Sequence, residues 1–265
     1  MAISLKNKIV FITGASSGMG YACAEHFAKK GAKLIIAARR FDRLVQLAQT
    51  LELNYNTHVL PLALDVSNHS AVSQAIENLE NEWKNIDILI NNAGISLSSD
   101  KLQDTAIEKW DAMIKTNVNG LLYVTKAILP TMLVKNSGHI INIGSLTAHY
   151  VFAGSNIYAA TKHAVKAITQ ALRVDLLGTN IRVSQIDPGA TETEFSFIRW
   201  GDENKAKAFY KKMKALEAAD IAQAIIFCAT RNRKINIDSL IINNIDMAGT
   251  YHAHADKENH STIFD

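Results

Sequence analysis

Short apolar runs alternate with amphipathic stretches from end to end of this 265-residue chain. The strand-like runs are KIVFIT (8–13), KLIIAA (33–38), HVLPLAL (58–64), DILIN (87–91), HIINIG (139–144), IRVSQI (181–186) and DSLIIN (238–243). Segments with helical period lie between them near 18–30, 41–53, 68–83, 105–134, 157–177 and 218–230. Several of the runs are apolar on both faces, as strands covered by helices on each side must be. Parallel neighbours need a crossover and a helix supplies it, so the rhythm predicts an α/β fold with a doubly wound parallel sheet. No linker rich in Pro, Gly or Ser interrupts it, and a single domain over 1–265 is expected. Two segments break the pattern. Residues 189–216, polar and aromatic after Pro188-Gly189, read as a long irregular insert or lid, and 249–265 as a His-containing tail.

Composition narrows the partners. A charged fraction of 20% excludes a disordered chain, and a net charge of +3 is too weak to propose nucleic acid. No apolar stretch approaches the roughly 18 residues of a membrane span, and the first residues lack a signal-peptide cleavage pattern. A cytoplasmic protein is the simplest reading. Cys23 and Cys228 sit in helix-like apolar surroundings, so core packing is expected of both. His252, His254 and His260 lack a carboxylate or cysteine cluster beside them, and no metal is expected.

The first strand runs into Thr13-Gly14-Ala15-Ser16-Ser17-Gly18-Met19-Gly20, directly before a helix. Gly14, Ser16, Ser17, Gly18, Met19 and Gly20 there suit a loop whose backbone approaches a pyrophosphate, with a helix N-terminus supplying N–H groups. The spacing G-x-x-x-G-x-G is not the G-x-G-x-x-G fingerprint, although the physics is the same. The second strand ends in Arg39 and Arg40, with no acid before Asp42. Two arginines there suit a 2′-phosphate, hence NADP rather than NAD, although two solvated arginines opening a helix would look alike. Asp65-Val66 ends the third strand, where adenine is expected. Asn92, Ala93 and Gly94 end the fourth, where the chain must pass close to a ribose.

Ser145 follows the fifth strand, and Tyr158 and Lys162 stand four apart on one helix face. A free tyrosine has a pKa near 10, and a neighbouring ammonium favours its phenolate. Such a phenol can exchange a proton with an alcohol near neutral pH, while a strand-end serine holds the substrate oxygen. Taken alone, Y-x-x-x-K is a weak signal; its order after the glycine loop and serine makes it strong.

With TGASSGMG, NNAG, Ser145, YAATK and Pro188-Gly189 in this order, the chain resembles the short-chain dehydrogenase/reductase family over nearly its whole length. The resemblance implies a seven-stranded Rossmann sheet in a three-layer αβα sandwich, and hydride transfer with a nicotinamide dinucleotide. It implies that Ser145 orients the substrate and Tyr158 is the acid/base. Lys162 would lower the phenol's pKa and bond the nicotinamide ribose, and Asn117 would hold a water of the proton relay. Pro188, Gly189, Thr191 and Thr193 would meet the carboxamide. The stretches EWKNIDILINNAG, GHIINIGS and PGATETEFSFIRWGDENKAKAFY are similar to the NADP-dependent 3-hydroxy acid dehydrogenases within the family. That implies substrates such as serine, L-allo-threonine or 3-hydroxypropionate, and a homotetramer built through 105–134 and 157–177. A carboxylate substrate needs a cation, and Arg199 is the candidate; His149 and Asn156 are expected to line the pocket. A 3-oxoacyl carrier-protein reductase, a broad carbonyl reductase and a non-catalytic NADPH sensor are the alternatives.

Overall fold

β1 (Ile9–Thr13) is buried along its whole length, and its alternation sends Val10 and Ile12 into one core layer, Ile9 and Phe11 into the other. The same two-faced burial recurs in β2 (Lys33–Ala38), β4 (Ile88–Asn91), β5 (Gly138–Ile143) and β6 (Ile181–Pro188). With β3 (Val59–Ala63) and β9 (Ser239–Ile242) they make one seven-stranded sheet in the order β3-β2-β1-β4-β5-β6-β9, parallel throughout. The computed structural model describes residues 3–249, so His252, His254 and His260 lie outside the described residues.

Helices α1 (Gly18–Ala28), α2 (Phe41–Tyr55) and α9 (Ala218–Ala229) cover one face, burying Phe27, Leu44, Leu47 and Ile225. Cys23 and Cys228 lie in this layer, and burial pushes their thiols up to about 12 and about 11. On the other face α3 (His69–Glu77) and α5 (Leu121–Lys135) bury Val72, Val124, Ile128 and Met132. Alongside them run α4 (Ile107–Ile114) and α6 (Asn156–Asp175). The fold is the doubly wound three-layer sandwich that the alternation predicts. No helix among the described residues is long and apolar enough to cross a membrane.

The helical segment expected at 105–134 runs unbroken from Ile107, with α4 passing through a π-helical turn, Lys115–Gly120, into α5. Two expectations need correcting. α3 stops at Glu77, well short of residue 83. The 189–216 insert is not irregular. It holds β7 (Thr191–Glu192) and β8 (Leu216–Glu217), paired in parallel, with α7 (Glu194–Trp200) and α8 (Glu203–Lys211) between them.

Strand order reverses between β1 and β4, and in such sheets ligands bind at the carboxyl ends around that point. There the Thr13 hydroxyl accepts from the N–H groups of Asn92 (3.0 Å) and Ala93 (2.9 Å). The Asn92 amide returns a bond to the Thr13 carbonyl at 2.8 Å. These bonds lock the glycine loop to the end of β4.

Candidate active site

Gly14 has φ +68°, and a Cβ added there would come within 2.9 Å of the Ala93 Cα; one at Gly20 would collide with the Gly14 carbonyl. The loop therefore needs glycine at both positions to fold tightly against β4. Ser17, at the N-cap of α1, makes no side-chain cap bond; its hydroxyl accepts from Arg40 Nη2 at 2.6 Å. The opening turn of α1 is thus left without a side-chain cap, which suits an anion. One cleft of about 250 Å³ is walled by Gly14, Ser16, Ser17, Gly18 and Met19, by Arg39, Arg40, Asp65 and Val66, and by Asn92, Ala93 and Gly94. Gly20 is not among its walls; it packs against the Gly14 carbonyl and the Asn92 amide. The Asp65 carboxylate accepts from the N–H (2.9 Å) and hydroxyl (2.7 Å) of Ser67.

Arg40 also donates to Ser16 at 3.1 Å and to the Glu194 carboxylate at 2.8 Å; Arg43 donates to the other Glu194 oxygen at 2.7 Å. Burial pushes the Glu194 carboxyl up, but its bonds from Arg40 and Arg43 outweigh this and hold it below the usual carboxylate range. Exposed arginines around an uncapped helix start fit a 2′-phosphorylated dinucleotide.

A second cavity, of about 140 Å³, shares Met19, Asn92, Gly94, Thr193 and Phe195 with the cleft. Its walls include Ser145, Tyr158, Lys162, Pro188, Gly189, Thr191 and Arg199. Lys162 Nζ lies 5.8 Å from the centre of the Tyr158 ring and donates to the Ile143 carbonyl at 2.9 Å. Ser145 Oγ accepts the Thr147 N–H at 3.1 Å, which turns the hydroxyl hydrogen away from that side. The Arg199 guanidinium carbon stands 5.2 Å from the centre of the Tyr158 ring and 5.1 Å from that of Phe195. Arg199 Nε donates to Ser96 Oγ at 3.0 Å, and burial pushes the guanidinium down from its ordinary value. Thr193 caps α7 by accepting the Phe195 N–H at 3.3 Å. Tyr210 donates to the Thr191 carbonyl at 2.8 Å and pairs with Ser196 at 2.6 Å, fastening α8 to the cavity wall.

Asn117 sits in the π-helical turn, 2% exposed. Its Oδ1 accepts the Ile95 N–H at 2.8 Å, and its Nδ2 donates to the Ile95 carbonyl at 2.9 Å and to Thr161 Oγ1 at 3.1 Å. The amide is therefore committed to protein, tying the loop after β4 to α6 beside Tyr158 and Lys162. π turns within α-helices are frequent at functional sites.

His149 and Asn156 do not face the cavity as expected. His149 pairs with Asp187 (2.9 Å) and Lys166 (3.2 Å), and Asn156 donates to the Asp100 carbonyl at 2.8 Å. Sequence reasoning missed Ser96, Phe195, Tyr210 and Glu194. The aromatic content of 189–216 is the only available signal for the middle two. Ser96 and Glu194 meet their partners only through the fold.

Residues 8–204 match the short chain dehydrogenase family. The chain belongs to that family. It is 42% identical over 252 residues to the NADP-dependent 3-hydroxy acid dehydrogenase of Schizosaccharomyces pombe, covering 94% of this chain and 97% of that one. It is 40% identical over 234 residues to sulfoacetaldehyde reductase 2 of Chromohalobacter salexigens, covering 88% and 92%. Among solved structures, the closed form of a serine dehydrogenase complexed with NADP+ superposes with a TM-score of 0.84 at 41% identity, covering 88% of this short-chain dehydrogenase and 94% of that chain.

Proposed function

We propose that this short-chain dehydrogenase is an NADP-dependent oxidoreductase interconverting short anionic 3-hydroxy acids and their 3-oxo counterparts. The observation that carries the reading is the cation beside the phenol: Arg199 stands 5.2 Å from the Tyr158 ring in a cavity that also holds Ser145 and Lys162. Relatives named for a 3-hydroxy acid dehydrogenase and a sulfoacetaldehyde reductase support an anionic head group. A serine dehydrogenase complexed with NADP+ supports the cofactor.

Gly14, the start of α1, Arg39 and Arg40 would hold the dinucleotide, with Thr193 and the Pro188-Gly189 backbone at its nicotinamide end. When bound, the nicotinamide supplies hydride acceptance from, or donation to, the carbon that bears the hydroxyl. The chain's own residues do the remaining work. Arg199 anchors the anionic head and so places that carbon. Ser145, whose oxygen already accepts a backbone N–H, donates its hydroxyl hydrogen to the substrate oxygen. Tyr158 exchanges the proton with that oxygen, and the Lys162 ammonium stabilises the negative charge that gathers on the phenol. A water against the backbone of the Asn117 turn would carry the proton onward, since the Asn117 side chain is engaged by Ile95 and Thr161.

The insert around 189–216 is the lid over substrate in this reading, because α7 carries both Arg199 and Glu194. A cytoplasmic homotetramer is part of the proposal; the exposed Leu133 and Val134 of α5 and Val174 of α6 offer apolar surface for self-association, readable by analytical ultracentrifugation.

NADP(H)-coupled rates on 3-hydroxypropionate, serine, L-allo-threonine, a 2-hydroxyalkane sulfonate, a neutral alcohol and an acetoacetyl thioester test the assignment. The anionic hydroxy compounds should lead. A preference for the thioester would point to the acyl reductase instead. Tyr158→Phe should abolish turnover while NADPH still binds.

A further inference from the structure

Behind Ser145 lies a buried carboxylate that does not itself line the cavity. Asp187, at 0% exposure near the end of β6, receives four donors. Its Oδ1 accepts the Ser145 N–H at 3.0 Å and Gln185 Nε2 at 2.6 Å. Its Oδ2 accepts His149 Nε2 at 2.9 Å and the Ser239 hydroxyl at 2.9 Å. A buried ionised carboxylate is tolerated only when its lone pairs are satisfied, and these four bonds satisfy it. Gly144 completes the arrangement, since a Cβ there would collide with Asp187 Oδ1.

The network continues to α6. Lys166 Nζ lies 3.2 Å from His149 Nδ1. An ammonium can only donate, so Nδ1 accepts and the ring's hydrogen sits on Nε2, pointing at Asp187. Tyr158, Lys162 and Lys166 follow one another at i, i+4 and i+8, a single stripe along α6. The first two line the cavity, while the third holds the serine loop from behind. One helix thus fixes both the phenol and, through His149 and Asp187, the serine.

We propose that Asp187 and His149 are positioning residues that set the placement of Ser145 relative to Tyr158, with Lys166 fixing the histidine tautomer. This rests on the reading of Ser145 as the group that holds the substrate oxygen. Asp187 grips the Ser145 backbone, and the turn it stabilises brings the Thr147 N–H onto Ser145 Oγ, so the serine hydrogen is aimed into the cavity. Neither residue touches substrate, and the effect on rate travels through Ser145 alone.

The test is a double-mutant cycle on the full-length enzyme, using NADPH and the best substrate from the panel. His149→Leu should lower kcat by roughly tenfold or more, because small misplacements of reacting groups carry penalties of that order. NADPH affinity, read by fluorescence titration, should be unchanged. His149→Gln, which keeps an N–H for Asp187 and an oxygen for Lys166, should recover most of the loss. In a Ser145→Ala background His149→Leu should add almost nothing, since the group it positions is gone. Multiplicative losses in the double mutant, or a His149→Leu enzyme with wild-type kcat, would overturn the proposal. A Ser145→Ala enzyme as active as wild type would instead defeat the underlying reading of the serine. Asp187→Asn turns an N–H₂ towards two of the four donors, whichever oxygen it replaces, and should mimic His149→Leu; if it does not fold, the His149 pair decides.

Discussion

Glu194 of α7 holds Arg40 at 2.8 Å across the mouth of the cofactor cleft, and Arg43 closes the clamp at 2.7 Å. The arginine proposed to take the 2′-phosphate is thereby shared with an acid from the insert. Glu194→Gln should free Arg40 and tighten NADPH binding by about three- to tenfold, on the scale of an exposed charge pair. The gain should shrink in high salt, because both partners are partly solvated. With its folded carboxyl held below the usual range, Glu194 stays charged at neutral pH, and the clamp is lost only as pH falls through that lowered value. The difference between wild type and Glu194→Gln should therefore be flat between about pH 6 and 9. Fluorescence titration of NADPH at two ionic strengths reads both, and an unaltered affinity would show that the acid does not compete.

Arg39 and Arg40 end β2 where an NAD enzyme would place a carboxylate for the ribose 2′-hydroxyl. Arg39→Asp with Arg40→Leu should reverse that logic. The ratio of kcat/KM for NADP over NAD is expected to fall by at least about tenfold, the loss of one charge-assisted bond or more. A ratio that stays put would remove the phosphate clamp from the account.

Arg199 spends Nε on Ser96, and among the described residues its terminal nitrogens have no protein acceptor. Arg199→Ala should raise KM for 3-hydroxypropionate by about 10–100-fold, the range of a hydrogen bond to a charged group. KM for a neutral alcohol of similar size should change little, and Arg199→Lys should restore only part of the loss because a lysine lacks the planar fork. Equal losses on charged and neutral substrates would mean that Arg199 shapes the cavity without pairing to an anion.

The sheet was legible because strands buried on both faces leave an unmistakable run of apolar residues: KLIIAA at 33–38 became β2 without adjustment. The π turn at Lys115–Gly120 was not, since no local periodicity announces one. It is held by the bonds of Asn117 to Ile95, twenty-two positions away. The helices of 189–216 were hidden for a related reason. They are short, and α7 and α8 draw support from distant partners such as Ser99, which accepts from Trp200 Nε1 at 2.9 Å, and Thr191. His149 read as a pocket residue because it lies between Ser145 and Tyr158 in sequence. Its partner Asp187 comes from another strand, and only the fold could show the ring turned away. Arg40 was recognised, but the acid opposite it lies 154 positions along the chain.

The Asn117 amide tests how far the π turn matters. Asn117→Asp preserves shape but removes both donors, leaving the Ile95 carbonyl and Thr161 without their partner and placing an uncompensated charge at a 2% exposed site. Breaking a buried polar pair in this way costs about 3–5 kcal/mol unless the new acid protonates. The variant should unfold at lower denaturant, and the stability gap should narrow as pH falls and the carboxyl takes up a proton. Because the turn anchors Ile95 beside the cofactor cleft, NADPH affinity should fall together with kcat. A variant of normal stability with impaired turnover alone would instead assign the side chain a direct part in proton transfer.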